Sequence, residues 1–118
     1  MARDLIRRGD FVVVAMTGDY GKPRPALVVQ SDLFSALPSA ALCPLSSLIR
    51  DDADVLRLTV EPSAANGLKQ KSQILIDKIT TMPIAKISRS IGYADDALMV
   101  GVNRALALFL GIAGKPEN

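Results

Sequence analysis

The chain has 118 residues, 49% of them apolar and 22% charged, with 14 basic against 12 acidic side chains for a formal net charge of +2. One domain spanning residues 1–118 is the expectation at this length, and so small a net charge does not by itself argue for nucleic acid. There is no histidine and a single cysteine, Cys43. That excludes an intramolecular disulfide, a structural zinc site built by this chain alone, and every catalytic triad that relies on histidine. "MARDLIRRGD" lacks the apolar run of a signal peptide, and the longest apolar stretch, near residues 105–113, is too short to span a bilayer. The expectation is a soluble, cytoplasmic protein with no membrane contact.

In chain order, "FVVVAM" (11–16) reads as a buried strand, with Gly9-Asp10 as its approach and a Gly-rich loop, Thr17 to Pro23, after it. An adhesion role for "RGD" does not fit a cytoplasmic chain. "PALVVQ" (25–30) is a second strand. Pro25 biases Arg24, and Pro23 biases Lys22, away from helical geometry, so the chain enters this strand extended, with the Arg24 guanidinium at its mouth. "SDLFSAL" offers Ser31 or Asp32 as an N-cap before one apolar turn. "AALCPL" (40–45) is a third strand, in which Pro44 implies an edge position, a bulge or the strand's exit.

"VLRLTV" (55–60) is a fourth strand, and the loop after it carries Asn66-Gly67, a pair that favours positive φ. "SQILIDKITTM" (72–82) reads as one long fifth strand stopped by Pro83, with short segments at "IAKIS" and "SIGY". From Asp95, an N-cap, the apolar residues Leu98, Val102, Ala105, Leu106, Phe109 and Ile112 recur at helical spacing. Met99, Leu108 and Leu110 widen that stripe, so the helix should be covered on two sides, by another subunit or by strands of the same chain. The whole is α+β and mainly β.

Charge is uneven along the chain. Lys69, Lys71, Lys78, Lys86 and Arg89 stand against Asp77 alone between residues 69 and 89, either one basic surface or ordinary solvated lysines. Asp51, Asp52 and Asp54 lack the glycine and terminal glutamate of a calcium loop and read as a solvated turn. No GxxxxGK[ST] or GxGxxG occurs, so neither a metal nor a cofactor is expected. Catalysis, if present, falls to Arg, Lys, Asp, Ser, Thr or Tyr.

"RGDFVVVAM", "GKPRPALVVQSDLF", "CPLSS" and "ILIDKITTMP", followed by a final apolar helix, resemble in this order the MazF/PemK toxins of bacterial toxin–antitoxin modules, from about Arg8 to Ile112. The resemblance implies a small SH3-like β-barrel (the CcdB/PemK-type toxin fold) with a C-terminal α-helix, a homodimer, and a metal-independent endoribonuclease. Such an enzyme cuts single-stranded RNA by attack of the 2′-hydroxyl on the adjacent phosphate, leaving a 2′,3′-cyclic phosphate and a 5′-hydroxyl. It also implies an antitoxin partner with an acidic or amphipathic tail, and DNA contact only through the toxin–antitoxin complex.

Carried onto this sequence, the catalytic residues are Arg24, Ser46 and Asp77. Ser46 stands where the family more often has threonine, and Leu75 where some members have a second arginine, which concentrates the work on Arg24. A planar guanidinium can place two parallel hydrogen bonds on the phosphate oxygens, a fork that lysine cannot reproduce. Ser46 would bond the same phosphate, with Ser47 as the second choice. Asp77 would orient Arg24 or accept the 2′-proton; the alternative is a structural carboxylate paired with a lysine. RNA contacts are expected from Thr17, Tyr20 and Lys22 on one loop, with Tyr20 stacking on a base or simply half-exposed, and from Ser47, Lys78 and Thr80. The rival readings are a CcdB-like gyrase poison, although Leu110-Gly111-Ile112 lacks that group's tryptophan, and a non-catalytic member that only binds antitoxin or RNA.

Overall fold

The computed structural model describes residues 6–15, 22–52 and 55–112. The β-branched run after Gly9 forms β1, Asp10–Ala15, and pairs antiparallel with β2, Pro23–Val28, so that Phe11 faces Leu27 and Val14 faces Arg24. Strand β2 therefore begins two residues before the run "PALVVQ", and Arg24 is its second residue. After a single 3-10 turn, Asp32–Phe34, whose N-cap is Ser31 with its hydroxyl accepting from the Leu33 amide at 3.1 Å, the chain enters β3, Ser39–Ser46. Strand β3 pairs with β2 from Val28↔Leu42 to Ala26↔Pro44.

The long strand expected over 72–82 is two strands, β5, Ser72–Leu75, and β6, Thr80–Pro83, separated by a 3-10 turn, Ile76–Lys78. Both lie along one edge of β3, with Leu42 opposite Thr80 and Leu45 opposite Ile74. Two residues (43 and 44) separate those positions on β3 and five (75–79) separate their partners, so three surplus residues loop out. Pro44 sits beside that interruption. The Ala41 carbonyl accepts from the Val29 amide on the β2 side, so alternation turns the nitrogen of residue 44 toward the β5/β6 edge. A missing N–H does no harm where the ladder is already broken. Of the three roles open to this proline, the bulge is the one observed.

Strand β4, Arg57–Val60, extends the sheet beyond β5, and β7, Gly92–Tyr93, caps its other end on β1, giving the order β4-β5-β3-β2-β1-β7 with β6 also on β3. After β6 the chain swings across to the free edge of β1. There Val14 bridges Ile87, the Ser88 amide donates to the Val13 carbonyl at 3.0 Å, and the Ile91 amide donates to the Phe11 carbonyl at 2.8 Å. The sheet thus curls into a small antiparallel barrel. Alternate residues feed two cores. Phe11, Leu27, Cys43, Leu45 and Ile74 face the helix, while Val12, Val14, Ala26, Val28 and Leu42 face inward with Met82 and Ile87.

The helix α1, Asp96–Phe109, starts where expected, with the Asp95 carboxylate accepting from the Leu98 amide at 2.8 Å. Val102, Ala105 and Leu106 are buried in the first core, and Leu98 packs against it. Arg8 ties helix to sheet, donating from Nε to the Val29 carbonyl and from Nη2 to Asn103 Oδ1. The rest of the apolar stripe is open: Phe109 is 42% and Ile112 76% exposed, and Val100, Leu108 and Leu110 are exposed beside them. Within the described residues the chain covers one side of its helix. No helix among the described residues is long and apolar enough to cross a membrane.

Candidate active site

The Pro23-Arg24-Pro25 triplet explains how the sheet opens. Alternation along β2 turns the backbone of residues 24, 26 and 28 toward β1, where the Val28 carbonyl accepts from the Gly9 amide, and that of 23, 25 and 27 toward β3. The two residues without an N–H are therefore the two that would continue the β2–β3 ladder, and pairing ends at Ala26↔Pro44. Arg24 keeps its own amide for β1. Beyond that point the strands part, and a groove of about 410 Å³ opens between them, lined by Arg24 and Pro25 from β2, Leu45 and Ser47 at the end of β3, and the 67–72 loop.

The far wall is rigid for a local reason. Asn66 is 6% exposed. Its Oδ1 accepts from the amides of Ser63 and Leu68 at 3.0 and 2.9 Å, and its Nδ2 donates to the Glu61 carbonyl at 2.9 Å. Gly67 follows with φ +69°, and a Cβ there would overlap the Ile91 carbonyl, just as one on Gly92 would overlap the backbone of Asn66. Two glycines thus let the 65–67 and 91–92 backbones touch, and the Tyr93 amide donates to the Ala65 carbonyl at 2.9 Å. The positive φ expected of Asn66-Gly67 is found at the glycine.

The near wall is fixed by Gln73, 3% exposed and opposite Ser46 in the β3–β5 register. Its Oε1 accepts from the Arg50 amide at 3.1 Å, and its Nε2 donates to the Arg50 carbonyl at 3.2 Å and to Thr59 Oγ1 at 3.3 Å. This side chain clamps residue 50 as a strand would, and so holds the bend that carries Ser47.

The expected site residues divide. Arg24 and Ser47 line one groove. Ser46 lies on the same face of the sheet as Arg24, two register steps beyond Ala26↔Pro44, but its Oγ accepts from the Leu48 amide at 3.1 Å and ends the strand. Lys22 is exposed just before β2. Thr80 faces Leu42, four residues along β3 from Ser46, or about 13 Å at strand rise. Lys78 is exposed on the turn between β5 and β6. Neither Thr80 nor Lys78 lines the groove. Thr17 and Tyr20 lie outside the described residues.

Asp77 belongs to a different neighbourhood. Its Oδ2 lies 3.6 Å from Arg57 Nη2, both side chains being about three-quarters covered, and its buried Oδ1 has no hydrogen-bond partner among the described residues. Its ion-pair partner is an arginine, where the sequence suggests a lysine. Its charge is felt by Cys43, whose thiol is pushed up to about 12 chiefly by burial and further by Asp77, against an opposing pull from Arg8. The basic run between residues 69 and 89 is also dispersed: Lys69 lines the groove, Lys71 lies 3.6 Å from Glu61, and Arg89 lines a separate cleft beside Asp32 and Ile87. The groove residues missed from sequence are Lys69, Gln70 and Ser72. Their signal was the loop after Asn66-Gly67, but only the fold sets it against Arg24.

A small, curled antiparallel sheet with one C-terminal helix is also the fold of solved MazF toxin structures. Residues 7–110 match the family model described as the PemK-like, MazF-like toxin of the type II toxin–antitoxin system, and the chain belongs to that family. It is 43% identical over 110 residues to a probable endoribonuclease MazF of Mycolicibacterium smegmatis, covering 92% of this chain and all of that one. It is 27% identical over 114 residues to endoribonuclease EndoA of Bacillus subtilis, covering 92% and 97% of the two chains. Among solved structures, a mycobacterial endoribonuclease in complex with its cognate antitoxin superposes with a TM-score of 0.77 at 20% identity, over 93% of this chain and 99% of that one.

Proposed function

We propose that this chain is the toxin of a type II toxin–antitoxin pair and acts in the cytoplasm as an endoribonuclease on single-stranded RNA. The observation that carries the reading is the register at Pro23-Arg24-Pro25, where two missing amides end the β2–β3 ladder and Arg24 and Ser46 fall on the same face of the sheet. As the substrate's 2′-oxygen bonds to phosphorus, charge builds on the non-bridging oxygens, and Arg24 meets it with a fixed two-pronged donor. Ser46, whose Oγ accepts from the Leu48 amide and keeps its own O–H to donate, bonds the same phosphate, with Ser47 as the second choice. The P–O2′ bond forms as the P–O5′ bond breaks, the proton lost by the 2′-hydroxyl to solvent is matched by the one the 5′-oxygen takes up from it, and neither water nor a metal is consumed. A chain without histidine suits this chemistry. Asp77, ion-paired with Arg57, is assigned to support of the fold, and Lys22, Lys78 and Thr80 extend the RNA path beyond the groove.

The matching relatives are named endoribonucleases, which favours this reading over a gyrase poison. The exposed flank of α1, with Phe109, Leu110 and Ile112, supports a homodimer, and the antitoxin bound by a structural neighbour supports a protein partner that blocks the groove. The test is cleavage of a mixed-sequence RNA in EDTA by wild type, Arg24→Lys and Arg24→Ala. Wild type should cut, Arg24→Lys should lose on the order of a hundredfold or more as one preorganised donor pair is removed, and Arg24→Ala should be inactive while circular dichroism stays native. Equal cutting by all three would overturn the proposal.

A further inference from the structure

Gln73 is an odd residue to bury. It is 3% exposed, and an amide taken out of water is costly unless it is hydrogen-bonded. Its bonds go mainly to one residue: Oε1 and Nε2 hold the backbone of Arg50 at 3.1 and 3.2 Å, and Nε2 also reaches Thr59 Oγ1. The register says which side of the sheet this is. Gln73 lies opposite Ser46 on β3 and opposite Thr59 on β4, and directly opposed residues share a face. That is also the face of Val14, Ala26 and Arg24. The 47–50 bend therefore folds back over the face that carries Arg24 and Ser46, and residue 50 is pinned above Gln73, one strand spacing, about 4.8 Å, from the strand of Ser46.

The Arg50 guanidinium is available there. Its side chain is 54% exposed, and its partner is Asp52, with Nε to Oδ1 and Nη2 to Oδ2 both at 3.4 Å and the Asp52 side chain 76% exposed. Exposed pairs with such long bonds stabilise little, and a phosphate offers the same two-oxygen edge, so it can take the place of Asp52. Arg57 shares the face through its register with Leu75, but it is about three-quarters covered and held by Asp77. We infer that Arg50, pinned by Gln73, binds an RNA phosphate flanking the scissile one. This rests on the nuclease reading of Arg24 and Ser46. A flanking phosphate keeps its charge while the bond beside it is cut, so the contact holds ground state and transition state alike and acts on KM, not on kcat.

Two measurements test it. In the first, a single-stranded RNA whose attacking hydroxyl is 2′-O-methylated is titrated by fluorescence anisotropy, from roughly 50 to 200 mM salt, with wild type, Arg50→Ala, Arg50→Lys and Arg104→Ala. Arg104 is exposed on α1, which packs on the opposite face of the sheet, and controls for the loss of one positive charge. Each phosphate contact on a single strand adds about 0.7 to the slope of log K against log salt, so over this fourfold range wild type should lose about 2.6-fold more affinity than Arg50→Ala. Arg50→Lys keeps a cation and should keep the slope, as should Arg104→Ala. In the second, cleavage is followed in EDTA. Arg50→Ala should raise KM several-fold with kcat within about twofold of wild type. Replacing the phosphates around the cut one at a time by uncharged methylphosphonates should find one flanking linkage whose neutralisation weakens wild type and not Arg50→Ala. An unchanged slope in Arg50→Ala, an equal loss in Arg104→Ala, a loss confined to kcat, or the absence of such a linkage overturns the inference while leaving the nuclease intact. An Arg50-dependent slope in a wild type that does not cut would instead overturn the nuclease reading and leave the Arg50 contact standing.

Discussion

Replacing Asn66 by alanine removes three hydrogen bonds at once from the wall of the groove. The Leu68 amide that it satisfies is buried, and the Ser63 amide and Glu61 carbonyl are partly so. An unsatisfied buried amide costs about 1–3 kcal/mol, and a hydrogen bond whose freed partner can reach water about 0.5–1.5 kcal/mol. The sum for one of the first kind and two of the second is about 4 kcal/mol. Against a total of about 5–15 kcal/mol for a domain, that is a large fraction. With an unfolding entropy of ~0.25 kcal/mol/K for this length, it corresponds to a fall of about 16 °C in Tm. The assay is urea unfolding followed by far-ultraviolet circular dichroism at one fixed protein concentration, because an associating protein gains apparent stability with concentration. Asn66→Asp keeps the acceptor for both amides but sets a carboxylate oxygen against the Glu61 carbonyl, and should also lose more than about 1 kcal/mol. A loss below about 0.5 kcal/mol in Asn66→Ala would refute the claim that this side chain holds the wall.

The Cys43 thiol, fully buried and pushed up to about 12, should resist iodoacetamide at pH 8 in the native protein and react once the chain is unfolded in urea. The sign of its effect on stability is fixed. The folded protein holds the proton to higher pH than the unfolded chain, whose thiol titrates near 9.0, so this contribution is complete below about pH 9 and declines as pH rises from there toward 12. Phe109→Glu, on the open flank of α1, should convert a dimer into a monomer by light scattering with its dichroism unchanged; a monomeric wild type would contradict the proposed assembly.

Most of the barrel was legible because its strands are β-branched runs bounded by Gly, Pro and Ser, and the helix because Asp95 and the spacing from Leu98 to Ile112 mark it twice over. The 72–82 stretch misled because "ILIDKIT" alternates well enough for one strand; its three surplus residues appear only when both halves are laid against β3. Arg24 stood out through its flanking prolines, yet its position inside β2 and the opening of the ladder beside it depend on which way each amide points, and that requires the register. Asp77 drew attention as the acid next to a conspicuous motif, and only the fold brings Arg57 within reach of it. Lys69 and Gln70 were hidden for the opposite reason, since a lysine and a glutamine in a loop look like solvated surface until the groove is seen behind them.

The central claim is that Arg24 supports metal-free attack by the RNA's own 2′-hydroxyl. Mass spectrometry of the fragments made from a short RNA in EDTA tests it directly. The expected products carry a 2′,3′-cyclic phosphate on one side of the cut and a 5′-hydroxyl on the other, appear with wild type, and are absent with Arg24→Ala. Fragments with a 5′-phosphate, or cutting that begins only when magnesium is added, would contradict it.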